Sequence, residues 1–274
     1  MLNLGWMTDV HLNHLRSDKL ANDFIQSIAS MNLDGIIVTG DIAESTNVNK
    51  YLSMMAEAFR GRMYFVLGNH DFWGSSVTNV RSSVSKHASK LGVSYLTDCT
   101  SISVTRETAI VGHDGWYDGR NGSKSRFRMN DWMSVAEYHP AVIGAKRFSD
   151  IDMSVVCNIS SRLANDAVEK LKTSIESAVT NHQNVIVCTH VPPWEKAHYH
   201  EGRLGDANAL PWFVSKVMGD MLESMADANP HVNFTVLCGH THGKCELNVR
   251  DNMTCYVGGA EYGGPTLQSV IGVK

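Results

Sequence analysis

The sequence predicts an α/β fold with its functional residues gathered at the ends of strands, and three observations lead there. Short apolar runs at residues 2–8, 35–39 and 63–67 each stop just before polar residues, as buried strands do when they deliver loops. Between them, residues 17–31 and 47–59 repeat their apolar positions at helical spacing, so the first third reads strand–helix–strand–helix–strand. The third observation is chemical: blocks of Asp, Asn and His follow several of these runs.

The remaining elements follow from the same patterns. A helix is expected over 77–91, then strands over 93–96, 102–104 and 109–112. From 116 to about 158 the chain is rich in Gly, Ser, Arg, Asp and aromatic residues; so long a loop in a compact domain usually carries recognition, and it is read as a cap over the site. Helical spacing returns over 158–182, a strand over 184–188 enters Thr189-His190, and a second helical stretch over 207–228 precedes a strand at 233–238. Gly258-Gly259 and Gly263-Gly264 mark turns between short strands that reach Val273. With no internal repeat or linker visible, the 274 residues are read as one domain, 1–274, with the cap at 116–158.

Composition narrows the function classes. Hydrophobic residues at 43% and charged residues at 19% are ordinary globular values and argue against disorder or a membrane protein. The opening Met1-Leu2-Asn3-Leu4-Gly5-Trp6-Met7 lacks the basic start and long apolar run of a secretory signal, so a cytoplasmic protein with no membrane partner is expected. Six scattered cysteines contain no CxxC pair and are read as free, buried thiols. The thirteen methionines are read as core or cap filler. A net charge of −4, from 24 basic and 28 acidic residues, gives no footprint for broad nucleic-acid binding; a small substrate fits better.

Five blocks carry the chemistry: Asp9-Val10-His11, Gly40-Asp41, Gly68-Asn69-His70-Asp71, Thr189-His190 and Gly239-His240-Thr241-His242. In open α/β sheets the loops at strand carboxyl ends converge on ligands, so the blocks could share one site. Asp9 and His11 are two apart, and in extended backbone they would project to one side and grip one ion; the same holds for His240 and His242. Glycine before Asp41, Asn69 and His240 permits close backbone approach. Aspartate, asparagine and neutral histidine suit Mn, Fe, Zn or Ni, and no block contains a cysteine. The set is large enough for two ions, with an aspartate as the natural bridge. Two such ions about 3.5–4 Å apart activate a water and clamp an in-line displacement at phosphorus. Each block alone is an ordinary strand end or turn; together, in order, they point to phosphoester hydrolysis.

At these residues the sequence resembles the calcineurin-like metallophosphoesterase family, whose pattern D-x-H, G-D, G-N-H-D/E, H and G-H-x-H occurs intact from Asp9 to His242. The resemblance implies two mixed β-sheets in a sandwich flanked by helices, with a dimetal site at strand C-terminal ends. By matching positions, Asp9, His11, Asp41 and His242 would hold one metal, and Asp41, Asn69, His190 and His240 the other, with Asp41 bridging. It implies two divalent transition-metal ions, with Mn²⁺ expected to serve in vitro. His70 would stand near the leaving group and Asp71 would orient it. Glu44 occupies the place of a second acidic residue, with a less defined role. The sugar-lipid pyrophosphatase branch has arginine where His70 stands, so this chain departs from it.

The expected reaction is direct attack on phosphorus by a metal-bound hydroxide, with His70 donating a proton to the leaving oxygen. The expected substrate is a small phosphodiester such as a cyclic nucleotide. The runner-up is a phosphomonoester of a nucleotide, sugar or phosphoprotein, and a nuclease is third. The rival from another class is a non-catalytic scaffold, which should have lost ligands; here all are present. His113, His198, His200, Arg120, Arg126 and Arg128 are further candidates near the site, each also readable as an ordinary solvated loop or surface residue.

Overall fold

The computed structural model describes residues 1–59, 62–122, 127–200 and 203–274. Two mixed sheets form a sandwich with helices on both outer faces. In the first sheet, β1 (Leu2–Met7), β2 (Gly35–Thr39), β3 (Arg62–Val66) and β4 (Ser94–Tyr95) run parallel. The second is built from β5 (Ile102–Ser103), β6 (Thr108–Gly112), β7 (Asn184–Cys188), β10 (Asn233–Cys238), β11 (Cys245–Arg250) and β12 (Met253–Val257), in the order β11-β12-β10-β7-β6-β5. Its four central strands are parallel and its two edges antiparallel. A ribbon of β8 (Tyr199–His200) and β9 (Arg203–Leu204) stands apart. The final strand, β13 (Ser269–Val273), returns antiparallel to β1 and closes that edge.

Strand alternation builds three apolar layers from single runs of sequence. In β2 and β3, Ile36, Val38, Met63 and Phe65 face helices while Ile37, Tyr64 and Val66 face the second sheet. In β7, Val185 and Val187 face the opposite helices while Ile186 and Cys188 face inward. This two-sided burial explains why the strands read as unbroken apolar runs.

The outer layer of the first sheet is α1 (Asp18–Ala29), α2 (Val48–Ala58) and α3 (Val77–Leu91). Ser17 and Ser76 cap α1 and α3 by accepting from Leu20 N and Asn79 N, and α3 stops at Gly92, whose φ of 69° suits a residue without Cβ. Residues 123–126 of the 116–158 segment lie outside the described residues, and the rest is not one open loop. It contains α4 (Asp131–Ser134) and α5 (His139–Val142), and Trp116, Tyr117, Trp132 and Tyr138 are buried in the same core as α1–α3. The segment is thus a wedge, held by its aromatics, and a bridge from Ser75 to Val135 ties it to the β3 loop region.

The long helix α6 (Met153–Val179) starts earlier than its periodicity suggested, because Asp152 caps it through Ser154 N and Val155 N. The run at 207–228 divides into α7 (Leu210–Phe213) and α8 (Lys216–Ala228). The three α8 methionines, Met218, Met221 and Met225, pack with α6 against the second sheet. All six cysteines are free, three of them buried. Among the described residues no helix is long and apolar enough to cross a membrane.

Candidate metal centre

Each of the five blocks begins just past the carboxyl end of β1, β2, β3, β7 or β10, so five loops meet at one rim where the two sheets adjoin. Asp9, His11, Asp41, His240 and His242 have φ of 48, 39, 51, 70 and 58°, the only positive values outside glycine among the described residues. The extended geometry expected for Asp9/His11 and His240/His242 is therefore not what brings these pairs together. The chain leaves each strand through left-handed turns, conformations costing roughly 1–3 kcal/mol each that persist where surrounding contacts over-determine them. Those contacts are visible: Asp9 N and His11 N donate to Gly40 O and Asp41 O at 3.0 and 2.9 Å, and His240 N donates to both Asp9 oxygens. Glycine at 68 and 239 is required by crowding, since a Cβ would collide with the Asp41 and Asp9 carboxylates respectively.

Two groups of donors form around Asp41. Donor atoms of Asp9, His11, Asp41 and His242 all lie within 4.8 Å of one another. Within this group, His11 Nε2 is 3.6 Å from Asp41 Oδ2 and 3.3 Å from His242 Nε2. On the other side, His190 Nε2 is 3.3 Å from Asp41 Oδ1 and 3.1 Å from Asn69 Oδ1, and Asn69 Oδ1 is 2.8 Å from His240 Nδ1. The two oxygens of Asp41 thus face different groups. Every one of these seven side chains is buried except His242, which is nearly so.

The hydrogen bonds behind the donors decide which lone pairs point inward. His190 Nδ1–H donates to Thr39 O at 2.8 Å, and His240 Nε2–H donates to Trp212 O at 3.0 Å. Asn69 Nδ2 donates to Asp131 Oδ1 at 2.9 Å, which turns Oδ1 toward the histidines. Burial keeps His240 neutral, lowering its pKa to about 3. His240 Nδ1 and Asn69 Oδ1 therefore oppose lone pair to lone pair, a contact that a cation resolves and a hydrogen bond does not. His190 reports the same demand: burial disfavours its charge, yet Asp41 and Asp9 raise its pKa to about 10. Burial lowers His11 to about 4, against the pull of Asp41 and Asp9. Asp9 stays ionised, at about 2, because the His242 bond and the charges of His190 and His242 overcome its burial. This donor set fits two divalent cations sharing Asp41.

His70 faces the same centre. Its backbone N donates to Asp41 Oδ1 at 2.9 Å, its Nε2 lies 3.9 Å from Asp41 Oδ2, and its ring stacks on Trp73 with centroids 3.6 Å apart. The structure shows no hydrogen bond from His70 to Asp71, the residue that the resemblance implied would orient it. The Asp71 oxygens are taken up by backbone N–H groups of Ala43 and Gly68, both at 2.8 Å, and of Ile42 at 3.3 Å. That carboxylate laces the β2 and β3 loops together, and burial beside Asp41 pushes its pKa up to about 8 against those donors.

The residue that the sequence did not reveal is Asp131. Fully buried at the start of α4, it accepts on Oδ1 from Asn69 Nδ2 and, at 2.6 Å, from Trp73 Nε1. One oxygen so fixes both the inward face of Asn69 and the ring on which His70 rests. It belongs to the 116–158 segment, which therefore supports the donors as well as lining the cleft. Nothing in Asn130-Asp131-Trp132 marks it, because its partners are 58 and 62 residues away.

A cleft of about 570 Å³ opens over the centre, with Asp41, Asn69, His70, His240 and His242 at its base and Trp73, Phe127, Arg128, Met129, Phe213 and Tyr262 in its walls. His198 also lines it, stacked on Phe213. Arg120 is turned away, bonded to Asp118 and Asn165, and Arg128 lies over the Phe148 ring. His113 is buried beside Asp114, which serves a separate network with Leu67, Arg81, Tyr95 and Thr97. Glu44 sits 4.0 Å from His14 at the periphery. Arg126 and the His200 side chain lie outside the described residues.

Paired sheets, converging strand ends and a donor set built around one carboxylate define the class of a dimetal hydrolase of phosphoric esters. The chain belongs to the calcineurin-like phosphoesterase family, whose model matches residues 2–244. Its fold is similar to that of a phosphopantetheinyl hydrolase from Mycobacterium tuberculosis, at 14% identity and a TM-score of 0.63, covering 95% of this chain and 90% of that one. It is also similar to a dimetal phosphatase from Danio rerio, at 15% identity and a TM-score of 0.56, covering 94% and 87%. No curated protein sequence matches the chain significantly. Metal-dependent phosphoric ester hydrolysis is the activity of this protein's class.

Proposed function

We propose that the chain hydrolyses a small phosphate ester at a centre where Asp9, His11, Asp41 and His242 hold one divalent ion and Asp41, Asn69, His190 and His240 a second. The close approach of His240 Nδ1 and Asn69 Oδ1 carries this reading: with Nε2–H donating to Trp212 O, a neutral His240 sets its Nδ1 lone pair against the amide oxygen at 2.8 Å, and a shared cation relieves that contact. Ions bound there supply Lewis-acid charge to the phosphoryl group and lower the pKa of water. The protein's own contribution is to fix donors. Thr39 O and Trp212 O hold two histidines in their ligating tautomers, and Asp131 holds the amide. His70, kept in plane by Trp73, holds a proton toward the leaving oxygen.

The preferred substrate is a small phosphodiester such as a cyclic nucleotide. Arg120, which could have met the second charge of a monoester, is engaged with Asp118 and Asn165 instead, and this supports a singly charged ester. Arg128 and Arg203 line the cleft and support the second reading, a phosphomonoester. Free thiols at all six cysteines support a reducing, cytoplasmic setting. The test is turnover of bis(nitrophenyl) phosphate and nitrophenyl phosphate by Mn²⁺-loaded protein, with metal analysis before and after chelation. Faster turnover of the diester, lost with the ions and restored by Mn²⁺, is expected; activity in a preparation shown to be metal-free would overturn the mechanism.

A further inference from the structure

Of the described residues that line the cleft, Tyr262 alone lies beyond residue 244, where the match to the family model ends. It belongs to the segment between β12 and β13, which is fastened beside the donors. Ala260 N donates to His242 O at 3.2 Å, and the Gln268 side chain clamps Gly259 by accepting from its N at 3.0 Å and donating to its O at 2.8 Å. A tight turn follows, closed by Gly264 N on Glu261 O at 3.0 Å, in which Gly263 takes a φ of 78° that a side chain would resist. This turn carries Tyr262.

Four imidazoles surround the tyrosine ring, with centroids at 4.6 Å for His11, 4.9 Å for His14, 5.2 Å for His242 and 6.2 Å for His70. Two of them are proposed ligands and one the proposed proton donor, so the ring rests on the centre itself although the residue is 54% exposed. Its hydroxyl end points inward: burial and then the charges of Asp41, Asp9 and Asp131 push its pKa above the ordinary tyrosine range. The hydroxyl bonds no protein atom among the described residues. A protonated O–H that faces a cation site without a partner is available to an anion bound between them.

Resting on the phosphoesterase reading above, we propose that Tyr262 is a catalytic residue that donates its hydroxyl hydrogen to a phosphoryl oxygen of the substrate. The phosphoryl group is then held from two sides, by the donor cluster at the base of the cleft and by a residue the family's motif does not include, while His70 serves the departing oxygen. No bond to the tyrosine forms or breaks: it keeps its proton, holds the group in line and offsets its charge. A hydrogen bond to a phosphoryl oxygen is indifferent to which alcohol leaves, and this separates Tyr262 from His70.

Tyr262→Phe keeps the ring among the four imidazoles and removes only the hydroxyl. Loaded with Mn²⁺, the full chain carrying this change should hold two ions with native affinity. Calorimetry should show it binding inorganic phosphate about 10–100-fold more weakly, the scale of one hydrogen bond to a charged group. Its kcat/KM should fall by a similar factor on a nitrophenyl ester and on a ribose ester of the same phosphate. Native phosphate affinity in the folded variant, or a loss confined to the ribose ester, would overturn the assignment. Loss of an ion would overturn it too, since the hydroxyl would then be supporting ligands. Should the native protein turn over neither ester, the phosphoesterase reading falls, and phosphate binding still decides for or against Tyr262 as the anion's donor.

Discussion

Replacing Asp131 with alanine removes the acceptor that holds Asn69 Nδ2 at 2.9 Å and Trp73 Nε1 at 2.6 Å, while leaving every proposed ligand in the chain. Asn69 is then free to turn its amide, presenting a donor where His190 and His240 need an oxygen. Outer partners of this kind typically contribute about 10–100-fold to metal affinity. That factor corresponds to roughly 1.4–2.8 kcal/mol. The loss should fall on the ion held with Asn69 and spare the one held by Asp9, His11 and His242. Stability should also fall, since two buried donors lose their partner at roughly 1–3 kcal/mol each. Part of that cost is offset because burial already raises the pKa of Asp131 and disfavours its charge. Calorimetric titration of the metal-free variant with Mn²⁺, alongside thermal unfolding to establish that it is folded, measures both effects. Asp131→Asn keeps an oxygen for the two donors and should recover most of the affinity. A folded D131A protein that takes two ions with native affinity would refute the assignment of Asp131 as a positioning residue.

Asp41→Asn should weaken both ions together, whereas His11→Ala should weaken one; metal counting after dialysis distinguishes a shared carboxylate from an ordinary ligand. His70→Ala should keep both ions and lose roughly 10²–10⁴-fold on a ribose or alkyl ester but far less on a nitrophenyl ester, whose leaving group needs no proton; equal losses on both would remove the proton-donor role. The raised pKa of His190 contributes stability to the metal-free chain that is fully present below about 6.5 and lost as pH rises through about 10. A bound ion needs that nitrogen bare, so binding near pH 8 should release about one proton and affinity should increase with pH across this window, as calorimetry in buffers of different ionisation enthalpy would register.

Much of this centre was legible because its parts are local. Asp9, Asp41, Asn69, His190 and His240 follow apolar runs directly, and a buried strand shows its end in the sequence as the place where polar residues resume. The sandwich came through the family resemblance, not from the runs themselves, since an unbroken apolar run says that both faces are covered but not by what. Three features were out of reach for physical reasons. The left-handed turns at Asp9, His11, Asp41, His240 and His242 fall on residues other than glycine, where no local pattern marks them and tertiary contacts enforce them. The wedge at 116–158 has no period, yet Trp116, Tyr117, Trp132 and Tyr138 bury themselves in the core on either side of residues 123–126. The partners of Asp71 and Asp131 could not be read either, because what each carboxylate accepts depends on distant backbone and side chains. The nearest residue in sequence, His70 beside Asp71, was not the partner.

Anomalous diffraction from crystals soaked in Mn²⁺ tests the centre most directly. Two peaks are expected, one among Asp9, His11, Asp41 and His242 and one among Asp41, Asn69, His190 and His240, with Asp41 contacting both. A single peak, or ions seated away from Asp41 in protein that still hydrolyses phosphate esters, would contradict the two-ion centre.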